Sequence, residues 1–323
     1  MPSLAQHKSQ RFTKLLLLGD AKSGKTGSLV SLVKAGYKLR ILDYDNLLDI
    51  LVRLINEQCP EMINNVEYRP LRDKQKATGD GFVIDGIPRA FVNGLKMLDR
   101  WKYKDDAGDE VDLGSPSKWG PGCILVLDSL SRFCDAAYDF REPLTPRGKS
   151  GEYDPRATYG DAQDAVETSL GYLTSDTFGT NVIVICHGQY MELKDGTTKI
   201  FPQGVGKALS PKIPQYFPNY IRFKNLAGKR TIQLKSDAMI DLANGIPSGV
   251  PDSLPVETGL ATYFELLRGP LTEEEMKDGP DERTTAAPSE HDSNGSGGAQ
   301  EPSPIPRPTS SASKFQPLGK FAR

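Results

Sequence analysis

The chain has 323 residues, of which 37% are apolar and 25% charged, enough to bury a sizeable core and unlike a membrane or fully disordered chain. With a formal net charge of -2, the molecule as a whole makes no electrostatic case for binding nucleic acid, so any such surface must be local. The opening residues MPSLAQHKSQRF lack the apolar centre of a secretion signal, and no run reaches the roughly 18 apolar residues of a membrane span; a cytoplasmic protein with no membrane partner is expected.

Residues 1–11 are polar and read as a flexible N-terminus. Leu15 to Leu18, closed by Gly19, predicts a fully buried strand. From Gly24 to Lys34, Leu29, Val30, Leu32 and Val33 recur at helical spacing, with Gly36 placed to end the helix. Leu39 to Leu42 reads as a second buried strand, followed by a helix through Leu47, Leu48, Ile50, Leu51 and Leu54. A strand near Val66 to Arg69 and a helix from Phe91 to Trp101 come next, and residues 102–121 read as a charged loop. Ile124 to Leu127 predicts a strongly apolar strand ending at Asp128; residues 141–159 read as a polar loop, and Ala162 to Tyr172 as helix. Val182 to Cys186 is a fourth buried strand. Polar turns, among them Asp195-Gly196, separate it from strands near Tyr220 to Phe223 and Thr231 to Leu234.

Short apolar strands alternating with helices predict an α/β fold with a mainly parallel sheet and an antiparallel extension at one edge. Cys59, Cys123, Cys134 and Cys186 have no metal-ligand spacing and read as thiols buried in a reducing compartment. From Gly269 onward acidic residues, Pro, Ser and Gly replace large apolar ones, so the domain is expected to span 12–267, with 268–323 a disordered tail. That tail is either a solvated extension or carries a partner-binding tip on Phe315, Leu318 and Phe321.

The sharpest motif is Gly19-Asp20-Ala21-Lys22-Ser23-Gly24-Lys25-Thr26, which fits G-x-x-x-x-G-K-[ST] at every fixed position and is followed by Gly27. Its glycines let successive N–H groups face phosphate oxygens, and Lys25 adds a point charge. The helix opening near Gly24 adds its positive end, and the Thr26 hydroxyl is suited to Mg²⁺. The pattern sits between a predicted strand and a predicted helix, the context the chemistry requires. Ile124-Leu125-Val126-Leu127-Asp128, about a hundred residues on, has the form of the strand whose terminal carboxylate meets the magnesium shell. ATP and Mg²⁺ are the expected ligands.

Taken together, the block from Gly19 to Ser28, Ala35-Gly36-Tyr37, Ile41 to Asp45 and Val126-Leu127-Asp128-Ser129-Leu130 resembles the phage-encoded RecA-like P-loop ATPases, a group that includes single-strand annealing recombinases. The likeness covers roughly residues 12–225. It implies a RecA-like core, ATP hydrolysis, self-assembly into a homo-oligomer and action on single-stranded DNA. In that family an acid after the second core strand polarises the attacking water. Asp45 holds that position with Asp where Glu is usual, and Asp43 is the alternative; both also suit helix capping. His187, after the fourth strand, falls where the family places a polar sensor of the γ-phosphate, or is an ordinary loop residue. Lys207, within Gly204-Val205-Gly206-Lys207-Ala208, matches a basic residue that reaches a neighbouring subunit's phosphate, or is a surface lysine.

Two loops fall where the family meets DNA. One holds Arg141, Arg147, Lys149, Tyr153, Arg156 and Tyr159; the other holds Tyr190, Lys194, Lys199 and Phe201. Cations interleaved with rings suit a single strand, although Glu142, Glu152, Asp154, Glu192 and Asp195 also suit plain solvated loops. Two rival functions stand beside this one. A small-molecule kinase would use the same loop with Arg141, Arg147 and Arg156 as lid cations. An ATP-gated loading adaptor would recruit a partner, such as a single-strand binding protein, through its tail.

Overall fold

Strands covered on both faces need apolar side chains pointing both ways, and the continuous apolar runs of this sequence become such strands. The computed structural model describes residues 11–105, 107–147, 154–246, 249–277 and 279. The strand β1 (Lys14–Gly19), buried throughout, leads through the glycine loop into α1 (Lys25–Ser28), α2 (Val30–Lys34) and β2 (Lys38–Asp43). Next come α3 (Asp49–Gln58), β3 (Val66–Pro70), a hairpin of β4 (Gln75–Thr78) and β5 (Gly81–Ile84), and α4 (Ala90–Asp99). A second hairpin, β6 (Lys102–Lys104) with β7 (Glu110–Asp112), precedes β8 (Gly120–Asp128), α5 (Leu130–Arg141), α6 (Pro155–Thr174) and β9 (Thr180–Cys186). The remainder comprises a third hairpin of β10 (Gly188–Glu192) and β11 (Thr198–Pro202), then α7 (Gly206–Leu209), β12 (Asn219–Leu226) and β13 (Lys229–Gln233). It closes with β14 (Ser253–Pro255), α8 (Gly259–Arg268) and α9 (Glu273–Lys277).

The main sheet has eight strands in the order β14-β13-β12-β1-β9-β8-β2-β3. It is parallel from β12 to β3 and antiparallel at the β12-β13-β14 edge. This is a mainly parallel α/β sheet, with β9 lying between the strand that carries the glycine loop and the strand that ends at Asp128. Alternation along each strand feeds two cores. Leu16, Leu18, Leu125 and Leu127 pack with Phe91, Phe133, Val166 and Leu170 on one face. Leu15, Leu17, Ile124 and Val126 pack with Leu32, Leu51, Ile55 and Phe264 on the other. Because the strands are parallel and in register, Gly19, Asp43, Asp128 and Cys186 end along one edge of the sheet. The four cysteines are buried and form no disulfide.

Several expected elements differ. The helix after the glycine loop is two pieces, α1 and α2, interrupted at Leu29. Residues 102–121, expected as a loop, hold the β6–β7 hairpin and the start of β8, because Trp101, Val111, Leu113 and Trp119 supply a buried apolar set beneath its charged exterior. The expected loop at 141–159 ends early. Asp154 accepts from the Arg156 amide and Pro155 opens α6, so Arg156 and Tyr159 lie on a helix. The turns after His187 form the β10–β11 hairpin.

At the C-terminal end, α8 runs to Arg268, Leu271 is buried, and the Met276 side chain packs beside Gly36, so the ordered fold reaches past the expected boundary at 267/268. Residues 1–10 and the tail from 280, including Phe315, Leu318 and Phe321, lie outside the described residues.

The interior is tightly keyed near the strand ends. Tyr44 stacks edge-on against Phe133 at 5.4 Å between ring centroids, and Phe133 meets Phe91 at 5.0 Å. The Tyr44 hydroxyl lies so close to Gly94 that a methyl group there would sit 1.8 Å from it. Phe133→Ala is expected to destabilise the protein by about 3–5 kcal/mol, by lost transfer energy and a residual cavity. Urea unfolding measures this; a loss under about 1 kcal/mol would mean the ring is not packed as described.

Candidate functional site

The site lies along the edge where the parallel strands end. Gly19 closes β1 against β12 so tightly that a methyl group on it would stand 2.7 Å from the Phe223 carbonyl oxygen and 2.8 Å from Ser23 Oγ. The loop then turns through left-handed conformations at Lys22 (φ 63°) and Gly24 (φ 100°), the second of which requires glycine. The following helix sits close on α3, since a methyl on Gly27 would lie 3.3 Å from Leu54 and 3.7 Å from Ile50. Gly27 is thus a packing glycine at the foot of the loop. Asp20, Ala21 and Lys22 are exposed on the rim.

Inside the loop, the Lys25 ammonium donates to the carbonyl oxygens of Gly19 (2.6 Å) and Asp20 (2.9 Å). Its pKa is lowered by burial, which the surrounding carboxylates of Asp128, Asp45 and Asp20 oppose. Ser23 Oγ is buried with no hydrogen-bond partner among the described residues. The Thr26 hydroxyl donates to Asp128 Oδ2 at 2.7 Å, joining the loop helix to the end of β8. Burial pushes the Asp128 carboxyl up to about 7, with the Asp45 and Asp43 charges adding to the rise and Thr26 and Lys25 opposing it.

The main chain of Asp128 organises the opposite side. Its carbonyl accepts from the amides of Tyr44 (2.6 Å) and Asp45 (3.2 Å). Asp45 Oδ1 accepts from the Ser129 hydroxyl at 2.8 Å, and Asp45 Oδ2 stands 3.4 Å from His187 Nε2. Burial alone would raise the Asp45 carboxyl; the hydrogen bonds from His187 and Ser129 outweigh it and hold the pKa below its usual value. Asp43 is nearly fully buried, and its Oδ1 accepts from the Asn46 amide at 2.7 Å, so it shapes the turn rather than capping α3. Burial raises the Asp43 carboxyl, against the Asn46 hydrogen bond. His187 is held from behind by its amide, which donates to Ser131 Oγ at 3.2 Å.

Lys25, Thr26, Asp128, Asp45 and His187 therefore converge. Lys207 does not join them: it is exposed on α7, and no hydrogen bond or ion pair among the described residues links it to the loop. Of the two basic-aromatic stretches, Lys149, Glu152 and Tyr153 lie outside the described residues, and Tyr159 stacks on Tyr138. The other stretch is the β10–β11 hairpin. There the Tyr190 hydroxyl donates to Asp20 Oδ2 at 3.4 Å, while Lys199 is paired with Asp241.

Sequence reasoning did not assign Ser129 a role. Its one hydroxyl accepts from the Arg132 amide to cap α5 and donates to Asp45. The signal was its place directly after Asp128, where the chain turns from strand to helix.

The residues present fit a nucleoside triphosphate and magnesium. The glycine cradle, the orphaned Ser23 hydroxyl and the Lys25 ammonium, held only by carbonyl oxygens, form a donor set for phosphate oxygens. Among the described residues no group of three or more His, Cys, Asp or Glu could hold a metal ion. The Thr26 hydroxyl and Asp128 carboxylate instead suit the hard cation that takes one or two protein oxygens and completes its shell with phosphates and water.

No family model and no curated protein matches the chain. Among solved structures it is similar to one described as the crystal structure of the RadB recombinase, at 14% identity and a TM-score of 0.40, with 77% of this chain and 90% of that chain covered. A likeness so distant assigns no residue a role. Among the described residues no helix is long and apolar enough to cross a membrane.

The raised Asp128 carboxyl makes a prediction for the protein free of metal and nucleotide. The folded state keeps a proton that the unfolded chain loses above its ordinary value of 3.8, so stability falls as pH rises from there towards about 7. Asp128→Asn is therefore expected to exceed the wild type by roughly 1–4 kcal/mol at pH 8, with the gap nearly closed at pH 4. Urea unfolding at both values reads the difference, and an equal gap at each would refute the assignment.

Proposed function

We propose that this chain is a RecA-like ATPase that binds Mg-ATP and acts on single-stranded DNA in recombination or replication of the phage type. The observation that carries the reading is the convergence, along one sheet edge, of the glycine cradle, the Thr26–Asp128 pair and the Asp45–His187 pair. Lys25 and the loop amides hold the β- and γ-phosphates, and the Ser23 hydroxyl gains the acceptor it lacks. Thr26 and Asp128 would hold magnesium, which when bound would supply charge neutralisation at the phosphates. Asp45 is the acid placed to orient the attacking water, its carboxylate kept ionised by Ser129 and His187. Asp43, occupied in its turn, is less suited to that task.

Coupling to DNA is supported by the chain path. The β10–β11 hairpin begins one residue after His187, and its Tyr190 touches Asp20 of the glycine loop, so the hairpin contacts both sides of the nucleotide site. Its cation Lys194 and the partly exposed Tyr190 and Phe201 offer charge and ring surface to a single strand. Exposed Lys207 is proposed to act across a homo-oligomer on a neighbouring copy's phosphates. Among the described residues a kinase lid has no comparable geometric support.

Phosphate release from Mg-ATP, with and without single-stranded DNA, tests the reading, with Lys25→Ala as the blank. Stimulation by DNA that vanishes on adding salt is expected; hydrolysis indifferent to DNA would remove the DNA half of the proposal. Asp45→Asn is expected to slow turnover by about 10²–10³-fold while ATP affinity is kept. Should Asp43→Asn do so instead, with Asp45→Asn active, the water-orienting role passes to Asp43.

A further inference from the structure

The phosphates have their cradle, but nothing assigned so far would hold the other end of a nucleotide. The β12–β13 hairpin lies beside the glycine loop. β12 pairs with β1 as far as Gly19 and then continues to Leu226, beyond the start of the glycine loop. The hairpin closes through Ala227 (φ 50°) and Gly228 (φ 85°), two consecutive left-handed residues, which is the tight two-residue turn that fixes strand register. That register sets Asn225 opposite Arg230 and Phe223 opposite Ile232.

Side chains two apart on a strand share a face. Asn225 and Arg230 therefore stand on the face whose inner pair, Phe223 and Ile232, packs in the core with α2 and α8. This is also the face that carries the glycine loop. A methyl group on Gly24 would lie 3.3 Å from Arg230 Cδ and 3.0 Å from Val256 Cγ1, so the Arg230 stem and the buried Val256 flank the loop. Beyond that contact, neither the Arg230 guanidinium nor the Asn225 amide has a hydrogen-bond, ion-pair or ring partner among the described residues. Both are exposed, whereas Lys224 of the same strand pair is engaged with Asp237.

We infer that Arg230 and Asn225 form the nucleobase subsite of the phosphate-binding loop, and that Asn225 favours adenine over guanine. This rests on the nucleotide reading given above. A guanidinium is planar, weakly hydrated and stacks on aromatic faces, so Arg230 lies against the base while Val256 supplies an apolar floor. A carboxamide offers one donor and one acceptor side by side, matching the donor-acceptor edge of adenine but not the paired acceptors of guanine. The alternative for Arg230, a contact to phosphate, would duplicate Lys25 and leave the base unrecognised.

Binding of ATP, GTP and inorganic tripolyphosphate, each with magnesium, separates these roles. In the full-length protein, Arg230→Ala is expected to weaken ATP about tenfold and to leave tripolyphosphate within about twofold. Asn225→Ala is expected to reduce the preference for ATP over GTP severalfold, again sparing tripolyphosphate. Both side chains are exposed on the hairpin, and unchanged melting temperatures confirm that the fold is kept. Equal weakening of ATP and tripolyphosphate by Arg230→Ala would make it a phosphate contact and overturn the inference, as would unchanged ATP affinity. Failure of the wild type to bind either ligand would refute the nucleotide reading itself, whereas binding of both, lost in Lys25→Ala but untouched in Arg230→Ala, would refute the base subsite alone.

Discussion

A carboxylate buried at the end of a central strand is costly unless its surroundings are built for it, and Asp128 is the group around which this site is built. Its side chain takes the Thr26 hydroxyl, which fixes the first turn after the glycine loop. Its carbonyl takes the amides of Tyr44 and Asp45, which fixes the turn after β2. The next residue, Ser129, caps α5 and holds the Asp45 carboxylate. Three separate segments of chain are thus referred to one position. The fold supplies that position because β8 is clamped between β2 and β9, with every residue from Pro121 to Asp128 buried.

The clustering of charge follows from the same arrangement. Asp43, Asp45 and Asp128 end up near one another, so each raises the cost of ionising the next. Only Asp45 has hydrogen bonds from two side chains, and only it is held below the ordinary range. The site therefore holds carboxyls of different character on neighbouring strands. One is pushed by burial towards its neutral form, and one is held ionised beside His187.

How much of this was legible depended on whether the cause was local. The strands β1, β2, β8 and β9 were legible because burial on both faces demands an unbroken apolar run. The glycine loop was legible because a tight left-handed turn at Gly24 leaves its mark on composition. The β6–β7 hairpin was not, since its strands are short and charged and its stability comes from Trp101 and Trp119, which lie outside them. The start of α6 was missed although Asp154-Pro155 is a helix-opening signal, because polar composition on both sides masked it. The pairing of Asp45 with His187, like that of Thr26 with Asp128, joins residues over a hundred positions apart; sequence proposed the members but had no means of setting the distances. Beyond the expected boundary, Leu271 is buried and Met276 packs beside Gly36, contacts of single apolar residues that composition does not announce.

Tyr44, between the two acids of the β2 turn, has its hydroxyl wedged against Gly94 in the middle of α4 and its ring against Phe133. A close-packed interior does not compress, so it transmits displacement as a rod does. Tyr44 thus brings the β2 turn into direct contact with α4. That helix starts where Asp73 receives the amides of Arg89 and Ala90, at the root of the exposed β4–β5 hairpin and its Phe82. The smallest residue in α4 is thus the joint between the turn that bears Asp45 and the helix that leads back to the exposed β4–β5 hairpin.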